Sequence, residues 1–323
     1  MHMSYEEFKD TVVKRFLDYM PEDYKGMKLE VHSVTKINET LDGITLKRPD
    51  VLVSPTLYIN DMYRHYLDIK NLDDILQDVA NSMVNALNGL PDIPDDSKFD
   101  RKHAKESIIF QLINTEQNKQ LIKDIPSRQF QDLSIIYRWI LRVEDEGVMS
   151  SVINQDLTEM LDLSEEKLFQ LAIKNTRQVF PPTVKSIDEV MKSIFEDNDD
   201  SMEMSSLVEY IPPERMLWVI SNENLLYGAT TMLYEDVLYS LAEKIGTDLY
   251  ILPSSLHECI AVSTSAGDPC ELAQMVAEIN AEQVATKDRL SNQVYHYNKE
   301  LRKITLATDT PNKGLTADIR NNI

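Results

Sequence analysis

Glycine is scarce in this chain and never clustered. The 323 residues include eight glycines, and no two of them are separated by a single residue. Dinucleotide-binding turns and nucleotide P-loops need closely spaced glycines, because these let backbone N–H groups approach a phosphate. The sequence therefore excludes a Rossmann-type cofactor site and a kinase-type nucleotide loop, and we expect no cofactor.

Cysteines and long apolar runs are also scarce. The two cysteines, Cys259 and Cys270, and the lack of a charged-then-apolar leader predict a reducing compartment, so we expect a cytoplasmic protein. The longest apolar run, residues 133–143, contains Arg138 and Arg142. It is much shorter than the roughly 20 residues of a membrane-spanning helix, so no membrane span is expected.

Basic residues are outnumbered, and this limits the partners. The chain has 54 acidic and 33 basic side chains and a formal net charge of -21. A negative surface repels phosphate, so we expect no direct binding to nucleic acid and no binding to an anionic membrane. A chain of this length is expected to form two or three domains, each with its own core.

The order of predicted elements indicates an α+β fold, with mixed or antiparallel sheets covered by helices. Breaks in periodicity predict three α+β modules at residues 1–90, 103–195 and 213–307, a linker at 91–102, an acidic linker at 196–212 and a flexible tail at 308–323. The second and third modules share one pattern. In each, a strand ending in Asn114 or Asn222 precedes a helix and two strands, which suggests a duplicated pair.

Local signals place several elements. The capping-box residues Ser4 and Glu7 predict the start of the first helix. Alternating residues from Lys28 predict a hairpin with its turn at Leu41-Asp42-Gly43, and a strand is expected at residues 56–60. Further on, Ser164 and Asp268-Pro269 predict helix starts, and Gly246 predicts a helix end.

Five segments resemble one family over nearly the whole chain. They are residues 41–45, 54–60, 112–118 and 227–229, and above all residues 248–258, which read DLYILPSSLHE. These segments are similar to an uncharacterised bacterial family that is widespread in anaerobic Firmicutes and known only as a domain of unknown function. The resemblance implies no activity, cofactor or site residue.

The turn Pro253–Glu258 is the densest group of reactive side chains, with Ser254, Ser255, His257 and Glu258. A hydrolase could use these groups. However, a serine and a histidine two or three residues apart on one turn rarely reach the geometry of a catalytic triad, and the chain has no GxSxG sequence. We favour a tight turn in which the hydroxyls bond to the backbone and His257 packs or caps.

Two groups of residues resemble known metal sites but do not match them fully. His257, Cys259 and Pro269-Cys270 resemble parts of a zinc deaminase signature, but its glutamate and its second thiolate are missing. Asp50 and Asp68-Ile69-Lys70 imitate a nuclease, but we expect Lys70 in a turn between helices rather than on a strand. No metal site is predicted.

The remaining binding candidates are aromatic or amide side chains. Tyr58, Tyr63 and Tyr66 could line a groove for a ligand or peptide, although packing between sheet and helix is the favoured interpretation. Asn222 is a further candidate.

Together these observations favour a cytoplasmic, non-enzymatic binding or adaptor protein whose partner is a protein or a small ligand. One alternative is a hydrolase that uses the Pro253–Glu258 turn. A second alternative is an acidic mimic of nucleic acid that occupies the DNA-binding groove of a partner protein.

Overall fold

The computed structural model describes residues 3–47, 55–69, 71–88, 101–144, 147–196 and 211–308. The chain divides into two compact units, residues 1–100 with 317–323 and residues 101–316. Most of both predicted linkers (91–100 and 197–210) and the tail from residue 309 lie outside the described residues, as do Asp50 and Lys70. Among the described residues, no helix combines the length and apolar composition needed to cross a membrane.

The first unit places helices against a three-stranded antiparallel sheet of order β1-β2-β3. Its elements are α1 (Tyr5–Arg15), a 3₁₀ turn (Phe16–Tyr19), α2 (Glu22–Lys25), β1 (Lys28–Lys36), β2 (Glu39–Lys47), β3 (Thr56–Tyr58), α3 (Ile59–Ile69) and α4 (Leu72–Asn88). The capping box of Ser4 and Glu7 is confirmed. Phe8, Val12, Phe16, Ile44 and Leu76 are fully buried in the core of this unit.

The predicted hairpin is present, but its predicted turn is wrong. Lys36 pairs with Glu39, so the turn is Ile37-Asn38, and Asn38 has a left-handed backbone, which asparagine tolerates in turns. Gly43 lies inside β2, where a Cβ atom would come within 2.6 Å of the Thr56 side chain on β3. The glycine therefore marks a close approach between strands rather than a turn.

The second unit contains two antiparallel sheets, of order β4-β6-β5 with β7 on β6, and β13-β12-β10-β11-β9-β8. Its strands are β4 (Ile108–Asn114), β5 (Ser127–Phe130), β6 (Leu133–Glu144), β7 (Gly147–Val152), β8 (Pro182–Ser186), β9 (Trp218–Asn222), β10 (Leu249–Leu252), β11 (Cys259–Ser263), β12 (Tyr295–Asn298) and β13 (Lys303–Leu306). Its helices are α5 (Arg101–Glu106), α6 (Lys119–Lys123), α7 (Gln155–Leu161), α8 (Glu165–Val179), α9 (Ile187–Glu196), α10 (Glu235–Ile245) and α11 (Pro269–Glu282).

These antiparallel sheets and their helices confirm the α+β class. The second unit contains both the predicted middle and C-terminal modules, and β8 of the one pairs with β9 of the other. The module boundaries and the duplication stay predictions. Strands β5 and β8 were not expected. Both lie at sheet edges, and β8 begins with a proline, which an edge strand tolerates.

Helix ends in the second unit follow their local signals. The Ser164 hydroxyl accepts a bond from the backbone N–H of Lys167 (3.4 Å), and Asp268 accepts from Cys270 (2.8 Å). Gly246 ends α10 with a φ of 86°, a left-handed conformation that favours glycine. These three predictions are confirmed.

Candidate functional site

The Pro253–Glu258 turn joins β10 to β11 and is held by residues 288–291. The Ser254 carbonyl accepts a bond from the N–H of Leu290 (3.0 Å), and the N–H of Leu256 donates to the Asp288 carbonyl (2.7 Å). Ser255 is buried. Strand β11 begins at Cys259, so His257 belongs to the turn and does not share a strand with Cys259, as a metal site built on both residues would require.

Both ring nitrogens of His257 have partners within the fold. Nδ1 accepts a bond from the backbone N–H of Tyr227 (3.4 Å), and Nε2 lies 3.3 Å from Oδ1 of Asp288. This arrangement assigns the proton of the neutral ring to Nε2, which donates to the carboxylate. The Tyr227 ring stacks on the imidazole with 6.3 Å between the ring centroids.

The hydroxyls of Ser255 and Ser221 bond to backbone groups of His257 rather than to its ring. Ser255 Oγ accepts from the His257 N–H (3.0 Å), and Ser221 Oγ donates to the His257 carbonyl (2.7 Å). A hydrolase needs a ring nitrogen that can take the serine proton. Since both nitrogens are engaged by Tyr227 and Asp288, the described contacts give the hydrolase hypothesis no serine–histidine pair. We call this arrangement of Ser221, Tyr227, Ser255, His257 and Asp288 the His257 clasp.

Gly228 lets the His257 clasp close. A Cβ atom at Gly228 would lie 2.1 Å from Ser221 Oγ and 2.2 Å from the His257 carbonyl oxygen. Tyr227 just before it has a φ of 55°, and Leu225 has a φ of 52°. Such left-handed conformations are uncommon for residues with side chains and are held here by the surrounding contacts.

The side chain of Asn222, a predicted binding residue, bonds within the loop that follows β9. Its side chain is buried, its Nδ2 donates to the Leu226 carbonyl (2.8 Å), and its Oδ1 accepts from the N–H groups of Asn224 (3.1 Å) and Leu226 (3.3 Å). The amide shapes the chain between β9 and Tyr227, and these bonds use most of its hydrogen-bonding groups.

The predicted tyrosine group lies in the first unit, apart from the clasp in sequence. Tyr63 and Tyr66 are buried in the core of that unit, and the Tyr63 hydroxyl donates to the Met3 carbonyl (2.8 Å). Tyr58 is half-buried on β3, with the Lys36 ammonium 5.5 Å from its ring centroid. These positions agree with the favoured interpretation of packing.

Comparison with known families supports the resemblance that the sequence segments indicated. The model of a family of unknown function, DUF5688, matches residues 5–299. The chain belongs to this family. No curated protein and no solved structure matches it. The family description states no activity, so the function of this DUF5688 chain has to be argued from its geometry.

Metal-binding residues do not gather in the described part of this DUF5688 chain. No group of three or more histidine, cysteine, aspartate or glutamate side chains is placed there to hold an ion. Cys259 is fully buried, and burial raises the pKa of its thiol above the ordinary value, whereas Cys270 is exposed. Asp68 lies on helix α3, not on a strand as the nuclease imitation requires.

One cavity of the second unit, about 730 Å³, has Glu165 among its lining residues. It lies beside residues 125–127 and 155–165. Glu165 accepts two bonds from Arg128 (3.0 and 2.8 Å) and a further bond from the Tyr137 hydroxyl. The bonds from Arg128 lower the pKa of Glu165, and burial raises the pKa of Tyr137. Glu165, one of the lining carboxylates, is thus engaged within the fold.

A second cavity of the second unit, about 300 Å³, has Tyr297 among its lining residues. We call it the Tyr297 cavity; its lining includes Phe130, Met232, Leu238, Tyr297, Arg302 and Ile304. The Tyr297 hydroxyl is buried and has no hydrogen-bond partner among the described residues. Nothing in the sequence neighbours of Tyr297 indicates which side chains surround it, so a local pattern does not predict this cavity.

Proposed function

We propose that the chain is a cytoplasmic, non-enzymatic binding protein whose ligand is a small, mostly apolar molecule with a hydrogen-bond acceptor oxygen. The observations that carry the proposal are an apolar-lined cavity and, on its lining residue Tyr297, a buried hydroxyl that has no hydrogen-bond partner among the described residues. The hydrolase alternative gains no comparable support, since the serines of the His257 clasp bond to the backbone and not to the imidazole.

The walls of the Tyr297 cavity suit an apolar body. Phe130, Met232, Leu238 and Ile304 supply most of its apolar lining. Phe130 stacks on Tyr295 with their ring planes 6° apart, which fixes one wall. Its volume of about 300 Å³ is at the lower end of the roughly 300–1,000 Å³ typical of ligand sites, which favours a ligand about the size of one substituted ring.

The Tyr297 hydroxyl supplies the polar contact. Burial raises its pKa to about 12, so at neutral pH the phenol keeps its proton and acts as a donor. A buried donor without an acceptor costs the fold about 1–3 kcal/mol. A ligand that brings an acceptor oxygen recovers part of this cost, which is why the site favours such a ligand over a plain hydrocarbon.

Of the charged residues near the cavity, Arg302 and Glu235 pair with each other. Arg302 forms an ion pair with Glu235 (3.2 Å) and lies 3.8 Å from the centroid of the Tyr239 ring. Lys303 adds one further positive charge to the lining. The balance among these three charged residues is positive by one, so the site suits a neutral or singly negative ligand.

The test compares three molecules with the same ring: benzoate, benzyl alcohol and toluene. Binding is measured by ligand-observed NMR titration against the full chain. We expect benzoate and benzyl alcohol to bind several-fold more tightly than toluene, as one hydrogen bond of roughly 0.5–1.5 kcal/mol implies. Tyr297→Phe is expected to remove this difference and to leave toluene binding unchanged.

Two tryptophan variants locate the binding. Ile304→Trp fills the cavity from the strand opposite Tyr297 and is expected to abolish binding of all three molecules. Leu301→Trp adds the same group at a neighbouring side chain that is 75% exposed and is expected to change nothing. The proposal is wrong if none of the three molecules binds, or if Ile304→Trp leaves their binding intact.

A further inference from the structure

Arg138 and Gln111 lie on the same face of the first sheet of the second unit. Arg138 on β6 pairs with Ile109 on β4, and Gln111 is two residues further along β4. Side chains two residues apart on a strand point to the same face. The contact is direct, because Nη1 of Arg138 donates to Oε1 of Gln111 (3.3 Å).

Arg138 is half-buried, and all its described partners are neutral. Its Nε donates to the Ser150 hydroxyl (3.0 Å), and its Nη2 donates to the Ser150 carbonyl (3.2 Å). Within the described residues no carboxylate pairs with it, whereas Arg128 and Arg177 of the same unit each pair with an acid. Burial accordingly lowers the pKa of the Arg138 guanidinium. A partly buried cation without a counter-charge is costly.

Gln111 adds an unused donor next to this cation. Its side chain is 1% exposed, and its Nε2 has no hydrogen-bond partner among the described residues. Oε1 and Nε2 share one carbon, so this N–H₂ group is adjacent to the guanidinium that Oε1 contacts. The three bonds of Arg138 also leave two of its five N–H groups unused. Donors therefore outnumber acceptors at this point.

Tyr227 of the His257 clasp lies over the Arg138 guanidinium. The Arg138 guanidinium carbon lies 5.3 Å from the centroid of the Tyr227 ring. The ring is held by its stacking on His257 and by the bond from the Tyr227 N–H to the imidazole. An arginine guanidinium stacks on aromatic rings, and its forked N–H groups match the oxygens of carboxylates and phosphates.

We propose that Arg138 and Gln111 form a binding site for a small oxyanion, a carboxylate or a phosphate group. The guanidinium supplies the charge and the forked geometry, Gln111 Nε2 supplies a further donor, and Tyr227 covers the group. None of these residues lines the Tyr297 cavity, so this site is separate from that of the proposed function.

The decisive variant is Gln111→Glu, because it supplies the missing oxyanion from within the chain. The assay is thermal unfolding of the full chain in phosphate, acetate or chloride at equal pH and ionic strength. For the unmodified chain we expect a higher Tm in phosphate or acetate than in chloride. Gln111→Glu is expected to raise the Tm in chloride and to abolish the response to both oxyanions.

Controls separate binding from general salt effects, since phosphate stabilises many proteins by exclusion from their surface. Gln129→Glu adds the same charge at an exposed position of the same sheet and is expected to keep the full response. Arg138→Lys keeps the charge but loses the fork, and we expect phosphate to bind at least about fivefold more weakly. Ile304→Trp, which closes the Tyr297 cavity, is expected to leave the response unchanged.

The outcomes are distinct. A larger response to phosphate identifies a phosphoryl group as the ligand, and a larger response to acetate identifies a carboxylate. If the three salts give the same Tm, or if Gln111→Glu keeps the full oxyanion response, the inference is refuted. Because Ile304→Trp tests the other site, failure of this inference is distinguishable from failure of the proposed function.

Discussion

Gly228→Ala tests whether the His257 clasp is as tight as its geometry indicates. The added Cβ would lie 2.1 Å from Ser221 Oγ, 2.2 Å from the His257 carbonyl oxygen and 3.0 Å from Ser221 Cα. Two of these three atoms belong to the backbone, so no side-chain rotation relieves the crowding. The chain has to move apart, and the bond from Ser221 to the His257 carbonyl (2.7 Å) has to break.

The expected loss of stability has two sources. Overpacking of a tight site costs about 1–3 kcal/mol, and loss of one hydrogen bond costs about 0.5–1.5 kcal/mol. We therefore expect Gly228→Ala to lower the free energy of unfolding by about 2–4 kcal/mol. In urea, with an m value of about 2–3 kcal/mol/M, this lowers the unfolding midpoint by about 1 M.

The assay is urea unfolding followed by circular dichroism, with Gly246→Ala as a control. Gly246 has open space around it but a φ of 86°, so alanine there meets only backbone strain and costs about 1–2 kcal/mol. The double variant Ser221→Ala/Gly228→Ala removes the nearest contact but leaves the one with His257, so it should remain less stable than Ser221→Ala alone. A midpoint for Gly228→Ala equal to that of the unmodified chain would refute the described packing around His257.

Three further predictions concern the second unit. The hydrogen bonds from Arg128 lower the pKa of Glu165, so this carboxylate stabilises the fold above its ordinary pKa of about 4.3, and the effect is lost as pH falls through the lowered pKa. The difference in unfolding free energy between the unmodified chain and Glu165→Gln should thus shrink on acidification, and a difference independent of pH contradicts this. Tyr295→Phe removes a buried donor to Asp132 and should cost about 1–3 kcal/mol in urea unfolding, whereas Tyr297→Phe removes an unpartnered buried hydroxyl and should leave stability unchanged or raise it; equal costs would count against the assignment of partners. A thiol reagent should label Cys270 alone in the native chain and both cysteines in urea, because Cys259 is buried, and rapid labelling of two native thiols would exclude that burial.

Features fixed by a few neighbouring residues could be predicted from the sequence. The caps at Ser4, Ser164 and Asp268 depend on a side chain and an N–H group two or three residues later. Gly43 shows where this reasoning fails. The lack of a side chain at Gly43 lets Thr56 of β3, 13 residues later in the sequence, approach closely. A local pattern cannot distinguish a glycine needed for such a contact from one needed for a turn.

The candidate sites depend on contacts that no local pattern contains. The position of the reactive turn at Ser255 and His257 could be read from the sequence, but the partners of the imidazole, Tyr227 and Asp288, lie 30 and 31 residues from it. Gln111 and Arg138 meet only because β4 and β6 pair in one particular register. A shift of that register by one residue would place them on opposite faces.

Strand order bears on the predicted duplication within the second unit. Strands β4-β6-β5 and β9-β11-β10 follow the same order in their two sheets. The first strand of each set ends in a buried asparagine whose Oδ1 accepts a later backbone N–H, that of Gln117 after Asn114 and that of Asn224 after Asn222, both at 3.1 Å. On the hypothesis of a duplication, the loop that follows Asn222 corresponds to the segment that follows Asn114. The loop after Asn222 carries Tyr227, which contacts both His257 and Arg138, so in this set of strands it reaches the proposed oxyanion site.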